Sequence, residues 1–315
     1  MAVEKNVPLN IFRIAVGVLG VCGNCLVCVV IAKVKFMHTI TNAFIFNQAV
    51  IDFFGSLLIL LSSLIAIPDP IPSGVGGVLL CNLWISNYFV WGLFITSTFN
   101  LVALTLERYL AIVFPFKYQN LATAKTVTAT ITCVWVAGFL FHSYGLFIYY
   151  LEDGQCKQKL VANPQVLGVA VFAVTYFLPV SVMLIVYIHI SVVLKKGAGR
   201  IGPAPASVSG GRLLDDQRES LMRARRNTFK TLLIVFITFT VCWTPNEAIF
   251  FLFNLGLNID FTSTIYIISV AMVAVNGCLN PLIYAIKYKQ FRKAVRALFG
   301  RRDVNNTLIT TNGTE

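Results

Sequence analysis

The sequence predicts an all-α membrane fold, a seven-transmembrane helix bundle followed by a short amphipathic helix 8 on the cytoplasmic side. Three observations carry this prediction. Of 315 residues, 57% are apolar and only 12% charged, about half the roughly 25% charged content of soluble domains, and mean hydropathy is +0.78. The apolar residues fall into seven long stretches, each able to cross a hydrocarbon layer about 30 Å thick. The basic residues behind the net charge of +12 gather between alternate stretches. A soluble globular enzyme is excluded, and 13% aromatic residues exclude a disordered chain.

The expected spans run over residues 11–34, 42–67, 82–114, 123–146, 165–194, 227–254 and 261–286. The first is too long for a signal-peptide core and ends in Lys33-Val34-Lys35, a stop-transfer flank. Connections after spans 1, 3 and 5 and the segment after Ile286 are rich in Lys and Arg, whereas the opposite loops carry Lys157 and Lys159. The positive-inside rule therefore places the N-terminus outside and the C-terminus in the cytoplasm. Charge confined to span ends reads as membrane flank, with no nucleic-acid partner. Gly and Pro residues between Gly197 and Gly211 make the connection between spans 5 and 6 a flexible linker with helical ends. Over 287–299, Phe291, Val295, Leu298 and Phe299 recur among Lys and Arg, the pattern of an amphipathic helix lying on the inner leaflet. One membrane domain spans 1–302, and the polar tail 303–315 is expected to be disordered.

Polar groups inside lipid are costly and mark function. Asn24, Asp52, Ser97 and Asn276 lie 10 or 11 residues inward of Val34, Asn42, Arg108 and Lys287, which sets all four roughly 15 Å deep at 1.5 Å per residue. Asn276, Asn280 and Tyr284 share one face of span 7, and Val90, Phe94, Ser97, Leu101, Leu104 and Arg108 form an inward line on span 3. A lone Asp52 among hydroxyls and amides suits a small hard cation held by oxygen ligands. The other reading is a hydrogen-bond network that stabilises the bundle. Of the eight Cys, only Cys81 and Cys156 lie outside apolar runs, and none sits in a zinc-like or redox-like setting. The three His are dispersed among different segments, so no membrane-embedded catalytic set forms. No repeat or paired broken helix suggests a channel or transporter.

The chain resembles a rhodopsin-like (class A) G-protein-coupled receptor over nearly its whole length, with a look similar to neuropeptide receptors of the galanin and somatostatin type. The resemblance rests on an ordered set: Gly23-Asn24, Asp52, Glu107-Arg108-Tyr109, Trp135, Phe177-x-Pro179, Tyr187, Phe239, Cys242-Trp243-Thr244-Pro245 and Asn280-Pro281-Leu-Ile-Tyr284. It implies that Glu107 restrains Arg108 until a G-protein helix engages it, and that Tyr187 and Tyr284 move toward Arg108 on activation. Phe116, after Pro115, would pack into the G-protein α subunit. Asp52, Ser97, Asn276 and Asn280 would form an allosteric sodium site with no other cofactor, and Cys81 would pair with Cys156. Pro179, Pro245 and Pro281 would kink their helices, and Trp243 would relay ligand binding to Phe239.

Several positions depart from the family pattern. Arg225 stands where some members carry an acid that clamps the helix 3 Arg, Thr98 replaces a bulky aliphatic residue, and Cys81 lies 27 residues before Arg108, about two more than usual. Ala274 stands where an opsin needs its retinal lysine, and Val90 where amine receptors carry an acid. The ligand cavity is expected from Asn87, Val90, Trp91, Phe94, Trp243, Asn246, Glu247 and Phe250. Glu247 reads either as partner for a cationic ligand group or as an internal hydrogen-bonded carboxyl. With little chain before Ile11, a short extracellular peptide is expected, a small amine or lipid being the alternative. The implied partners are a heterotrimeric G protein, arrestin, a receptor kinase and membrane lipids, at the plasma membrane.

Overall fold

The computed structural model describes residues 7–159, 163–198 and 211–300, with side chains from 7–159, 163–195 and 226–300. The tail 303–315 and the side chain of Arg225 fall outside the described residues. Among the described residues, seven helical segments are long and apolar enough to cross a membrane. Their regular helices are α1 (Val7–Lys33), α2 (Ile40–Leu64), α3 (Tyr88–Val113), α4 (Ala124–His142), α5 (Leu178–Ala198), α6 (Gly211–Asn254) and α7 (Thr264–Lys287), followed by α8 (Lys289–Phe299). The all-α expectation holds with one addition, a β-hairpin.

Hydroxyl caps open α2, α4 and α7. Thr39, Thr123 and Ser263 accept hydrogen bonds from the backbone N–H of Asn42, Thr126 and Tyr266 at 3.3, 3.2 and 3.3 Å, satisfying donors that the first turn leaves open. Packing between helices relies on small residues. A Cβ on Gly20 of α1 would lie 2.1 Å from Ser56 Oγ of α2, and one on Gly138 of α4 would lie 2.2 Å from Thr96 Oγ1 of α3. Large apolar side chains such as Leu19, Ile185 and Ile265 point outward, the pattern of a lipid-facing surface.

The third span is not one straight helix as 82–114 implied. A short helix (Val75–Leu79) leads into a π-helical stretch (Leu80–Ile85), and Asn87 breaks the chain at φ 56° before α3 starts. The wider π turn and the left-handed break take up the extra residues between Cys81 and Arg108. Cys81 is bonded to Cys156, with Cα atoms 5.4 Å apart. Cys156 lies on the hairpin of β1 (Tyr149–Glu152) and β2 (Gln155–Gln158), paired antiparallel. Its two turn residues, Asp153 (φ 51°) and Gly154 (φ 70°), both take the left-handed backbone that a tight hairpin demands. The Gly154 carbonyl accepts from Ile71 N–H at 2.9 Å, tying the hairpin to the connection after α2.

Another π turn (Ala173–Phe177) joins the helix Pro164–Phe172 to α5, just ahead of Pro179. Pro245 and Pro281 lie inside α6 and α7. At the opposite end of the bundle, α8 buries Phe291 and Ala294. It is fixed by Gln290 Nε2 donating to Phe36 O at 3.0 Å and by the Tyr288 hydroxyl donating to Asn42 Oδ1 at 2.9 Å.

Gly20→Ala should lower the thermal midpoint of the purified protein, because overpacking costs about 1–3 kcal/mol. Gly55→Ala, whose added Cβ meets nothing within 4 Å, is the control and should leave the midpoint unchanged or raise it. Equal midpoints for both variants would show that the α1–α2 contact tolerates a methyl group.

Candidate functional site

Three layers of polar and aromatic side chains line the bundle. The first lies toward the disulfide-bearing end. Phe94 of α3 meets Trp243 of α6 edge to face at 5.2 Å between ring centroids, and Trp243 continues to Phe239 at 5.7 Å and Phe239 to Tyr176 at 6.4 Å. The Tyr176 hydroxyl hydrogen-bonds Thr244. One turn beyond Trp243, Asn246 donates to Ser269 Oγ of α7 at 3.2 Å. Glu247 is only 8% exposed, yet among the described residues its buried Oε2 has no hydrogen-bond partner. The Trp243 indole N–H is likewise buried and unpartnered.

Not all of the expected cavity residues join this cluster. Phe250 is half-buried. Trp91 touches Phe94 at 5.9 Å but remains 40% exposed. Val90 and Asn87 instead line a crevice against α2 with Leu58, Ser62, Leu83 and Trp84. The left-handed break at Asn87 turns that side chain off the α3 register.

The middle layer is a chain of amides. The Trp135 indole N–H of α4 donates to Asn47 Oδ1 of α2 at 2.9 Å, and Asn47 Nδ2 donates to Asn100 Oδ1 of α3 at 2.9 Å. Asn100 Nδ2 donates to Gln48 Oε1 of α2 at 2.9 Å and to Phe44 O at 3.1 Å. Gln48 Nε2 then donates to Asp52 Oδ1 at 3.0 Å and to Ser97 Oγ at 2.5 Å. From α7, Asn280 Nδ2 donates to Asp52 Oδ2 at 2.8 Å. Asn24 ties α1 to α7 through Gly277 O at 2.8 Å. Asn276 is buried, but among the described residues no hydrogen bond joins it to Asp52.

The third layer surrounds Arg108. Glu107 takes Arg108 Nε at 2.6 Å and also pairs with its Nη2. Thr41 of α2 donates to Glu107 Oε1 at 3.2 Å, and the Tyr118 hydroxyl donates to the same oxygen at 2.5 Å. Tyr118 belongs to the short helix Pro115–Leu121. Burial, and then the Glu107 charge, push its hydroxyl above the ordinary tyrosine pKa, which keeps it a donor. Tyr109 reaches His189 Nδ1 at 3.0 Å, and Phe116 is 85% exposed. Tyr187 is stacked on Phe236 at 5.2 Å, with its hydroxyl 3.4 Å from Thr105 Oγ1. Tyr284 is buried, and among the described residues its hydroxyl has no partner.

A family model, 7 transmembrane receptor (rhodopsin family), matches residues 23–284. The chain belongs to the rhodopsin family of seven-transmembrane receptors. Galanin receptor 2b of Danio rerio is 29% identical to it over 290 residues, covering 89% of this chain and 72% of the relative. The allatostatin-A receptor of Bombyx mori is 27% identical over 334 residues, covering 99% and 87%. Trace amine-associated receptor 4 of Mus musculus is 29% identical over 297 residues, covering 89% and 82%. Family membership makes the protein a multi-pass signalling receptor and not an enzyme.

The receptor's middle layer departs from the expectation of a sodium site at Asp52, Ser97, Asn276 and Asn280. A hard cation needs oxygen lone pairs pointing at it, whereas here amide hydrogens face both Asp52 oxygens and Ser97 Oγ. The residues present therefore do not fit the ion, and the hydrogen-bond network is the arrangement found. Sequence reasoning missed Asn47, Gln48, Asn100 and Tyr118. The first three were detectable as amides inside apolar spans, but Tyr118 lies in a loop segment with no such signal.

Asn100 is the branch point of the amide chain, so Asn100→Ala should lower the receptor's thermal midpoint more than Trp135→Phe, which removes a terminal donor only. Each buried group left unsatisfied costs about 1–3 kcal/mol. Equal losses would mean that the chain does not act as a connected network.

Proposed function

We propose that this receptor lies in the plasma membrane with its N-terminus outside, binds a short peptide through a cationic group at Glu247, and activates a heterotrimeric G protein through its Arg108 end. The observation that carries the ligand reading is Glu247 itself. A buried carboxylate oxygen without a partner is expensive, and a ligand ammonium or guanidinium supplies the missing donors. Around it, Phe94, Trp243 and Tyr176 form an aromatic floor that suits the stem of a basic side chain. Peptide receptors named for galanin and allatostatin-A stand among the relatives, which favours a peptide. A relative named for trace amines supports a small amine as the second reading, with Glu247 again as its partner because Val90 offers no charge.

The coupling reading rests on the third layer. Glu107, Thr41 and Tyr118 together hold Arg108 in place, and Phe116 projects from the neighbouring short helix as an exposed apolar knob suited to a partner's pocket. Tyr284 would gain a hydrogen-bond partner by moving toward Arg108 and Tyr187. Arrestin and a receptor kinase would engage the same end, with α8 held against the lipid surface.

Screening a peptide library and an amine set with calcium, cyclic-nucleotide and arrestin readouts supplies the agonist. Glu247→Gln should then reduce potency by roughly 100-fold or more, since stranding one charge of a buried pair costs about 3–5 kcal/mol. A neutral analogue of the agonist should lose little further affinity to the mutation. Phe116→Ala should abolish nucleotide exchange with ligand binding intact. Equal losses for charged and neutral ligands would make Glu247 structural, and full exchange in Phe116→Ala would remove the coupling role.

A further inference from the structure

The direction of the hydrogen bonds that lead from α4 to Gln48 is fixed from one end. Trp135 can only donate through its indole N–H. Trp135 therefore takes the oxygen of Asn47, which turns the Asn47 amide nitrogen onto Asn100 Oδ1. That in turn aims Asn100 Nδ2 at Gln48 Oε1, and the remaining end of Gln48 is its NH2 group. Both hydrogens of that group are used, one on Asp52 Oδ1 and one on Ser97 Oγ. The amide nitrogen thus stands between the carboxylate and the hydroxyl, where a cation bridging the two would have to sit.

We propose that Gln48 is a built-in substitute for a bound cation. It joins α2 to α3 at Asp52 without an ion, and so makes the resting receptor indifferent to sodium. Displacement of the amide by an ion is opposed on two counts. Gln48 is fully buried at 0% exposure, and close-packed interiors leave a displaced side chain nowhere to go. Turning it away would also break its bonds to Asp52 and Ser97 and strip Asn100 of the Gln48 acceptor, leaving buried polar groups unpaired. Asn280, on the other carboxylate oxygen, adds a second amide where an ion would need a lone pair.

The cation site is accordingly latent. An apolar side chain of similar size at position 48 would release Asp52 Oδ1 and Ser97 Oγ, while Asn100 keeps its bond to Phe44 O. The proposal concerns the Asp52 layer alone and does not depend on which ligand or G protein the receptor uses.

The test compares thermal midpoints of the purified receptor in sodium chloride and in potassium chloride at equal ionic strength. Wild type should show no sodium-specific shift. Gln48→Leu should show a rise of about 3 °C in sodium at ten times the ion's Kd, growing further with the logarithm of its concentration, and the double variant Gln48→Leu with Asp52→Asn should lose it. Gln48→Ala, which also clears the site, is the second variant should Gln48→Leu express poorly. A sodium-specific rise in wild type that Asp52→Asn removes would overturn the proposal without recourse to either variant. A folded Gln48→Leu or Gln48→Ala receptor with no sodium-specific shift would overturn it as well.

Discussion

A donor-only indole on α4 fixes the direction of the hydrogen-bond chain that runs from it to Asp52 on α2, and the bundle is organised around that chain. Trp135 and Asp52 are joined by three amides, from Asn47, Asn100 and Gln48, and Asn280 closes the chain from α7. Where lipid replaces water, apolar burial gives neighbouring helices little reason to associate, so interhelical hydrogen bonds and close packing at small residues must hold them. Here one connected path links α4, α2, α3 and α7, and Asn24 brings in α1 through Gly277 O. The glycine contacts at Gly20 and Gly138 let the backbones approach closely enough for these side chains to meet.

Helices α5 and α6 stand outside that path. Rings join the two to each other, Tyr187 to Phe236 and Tyr176, just ahead of α5, to Phe239, while the edge-to-face contact of Trp243 with Phe94 and the hydrogen bonds Asn246–Ser269 and Tyr187–Thr105 tie them to α3 and α7. Stacked rings slide at lower cost than a saturated amide network breaks, and the prolines of α5 and α6 lie beside them. Among the described residues, the buried polar atoms without partners include Glu247 Oε2 and the Trp243 indole N–H on α6 and the Tyr284 hydroxyl on α7. The amide chain thus runs through α4, α2, α3 and α7 and leaves α5 and α6 outside it.

Much of this was legible in the sequence. Seven spans and the amphipathic α8 follow from hydropathy, and a rise of 1.5 Å per residue sets Asn24, Asp52, Ser97 and Asn276 at one depth, although it is Asn280, one turn on, that bonds Asp52. The Arg108 cluster followed from motif order. What stayed hidden depends on side-chain direction. Depth places Asp52 and Ser97 on one level but does not say what fills the space between them, and Gln48, one turn away from Asp52, shows as an amide in an apolar span without showing that it reaches both. The crevice at Asn87 and Val90 was hidden for a backbone reason, since a π turn and a left-handed residue rotate everything before α3. Tyr118 was hidden because a loop helix has no span register from which to infer its facing.

The amide in the cation position is the central claim, and a high-resolution density map of the resting receptor prepared in sodium chloride tests it most directly. The account predicts continuous side-chain density for Gln48 reaching between Asp52 and Ser97, with Asn100 against its oxygen and no ion beside the carboxylate. Gln48 turned away from Asp52, with a spherical density bound by the Asp52 and Ser97 oxygens in its place, would contradict it.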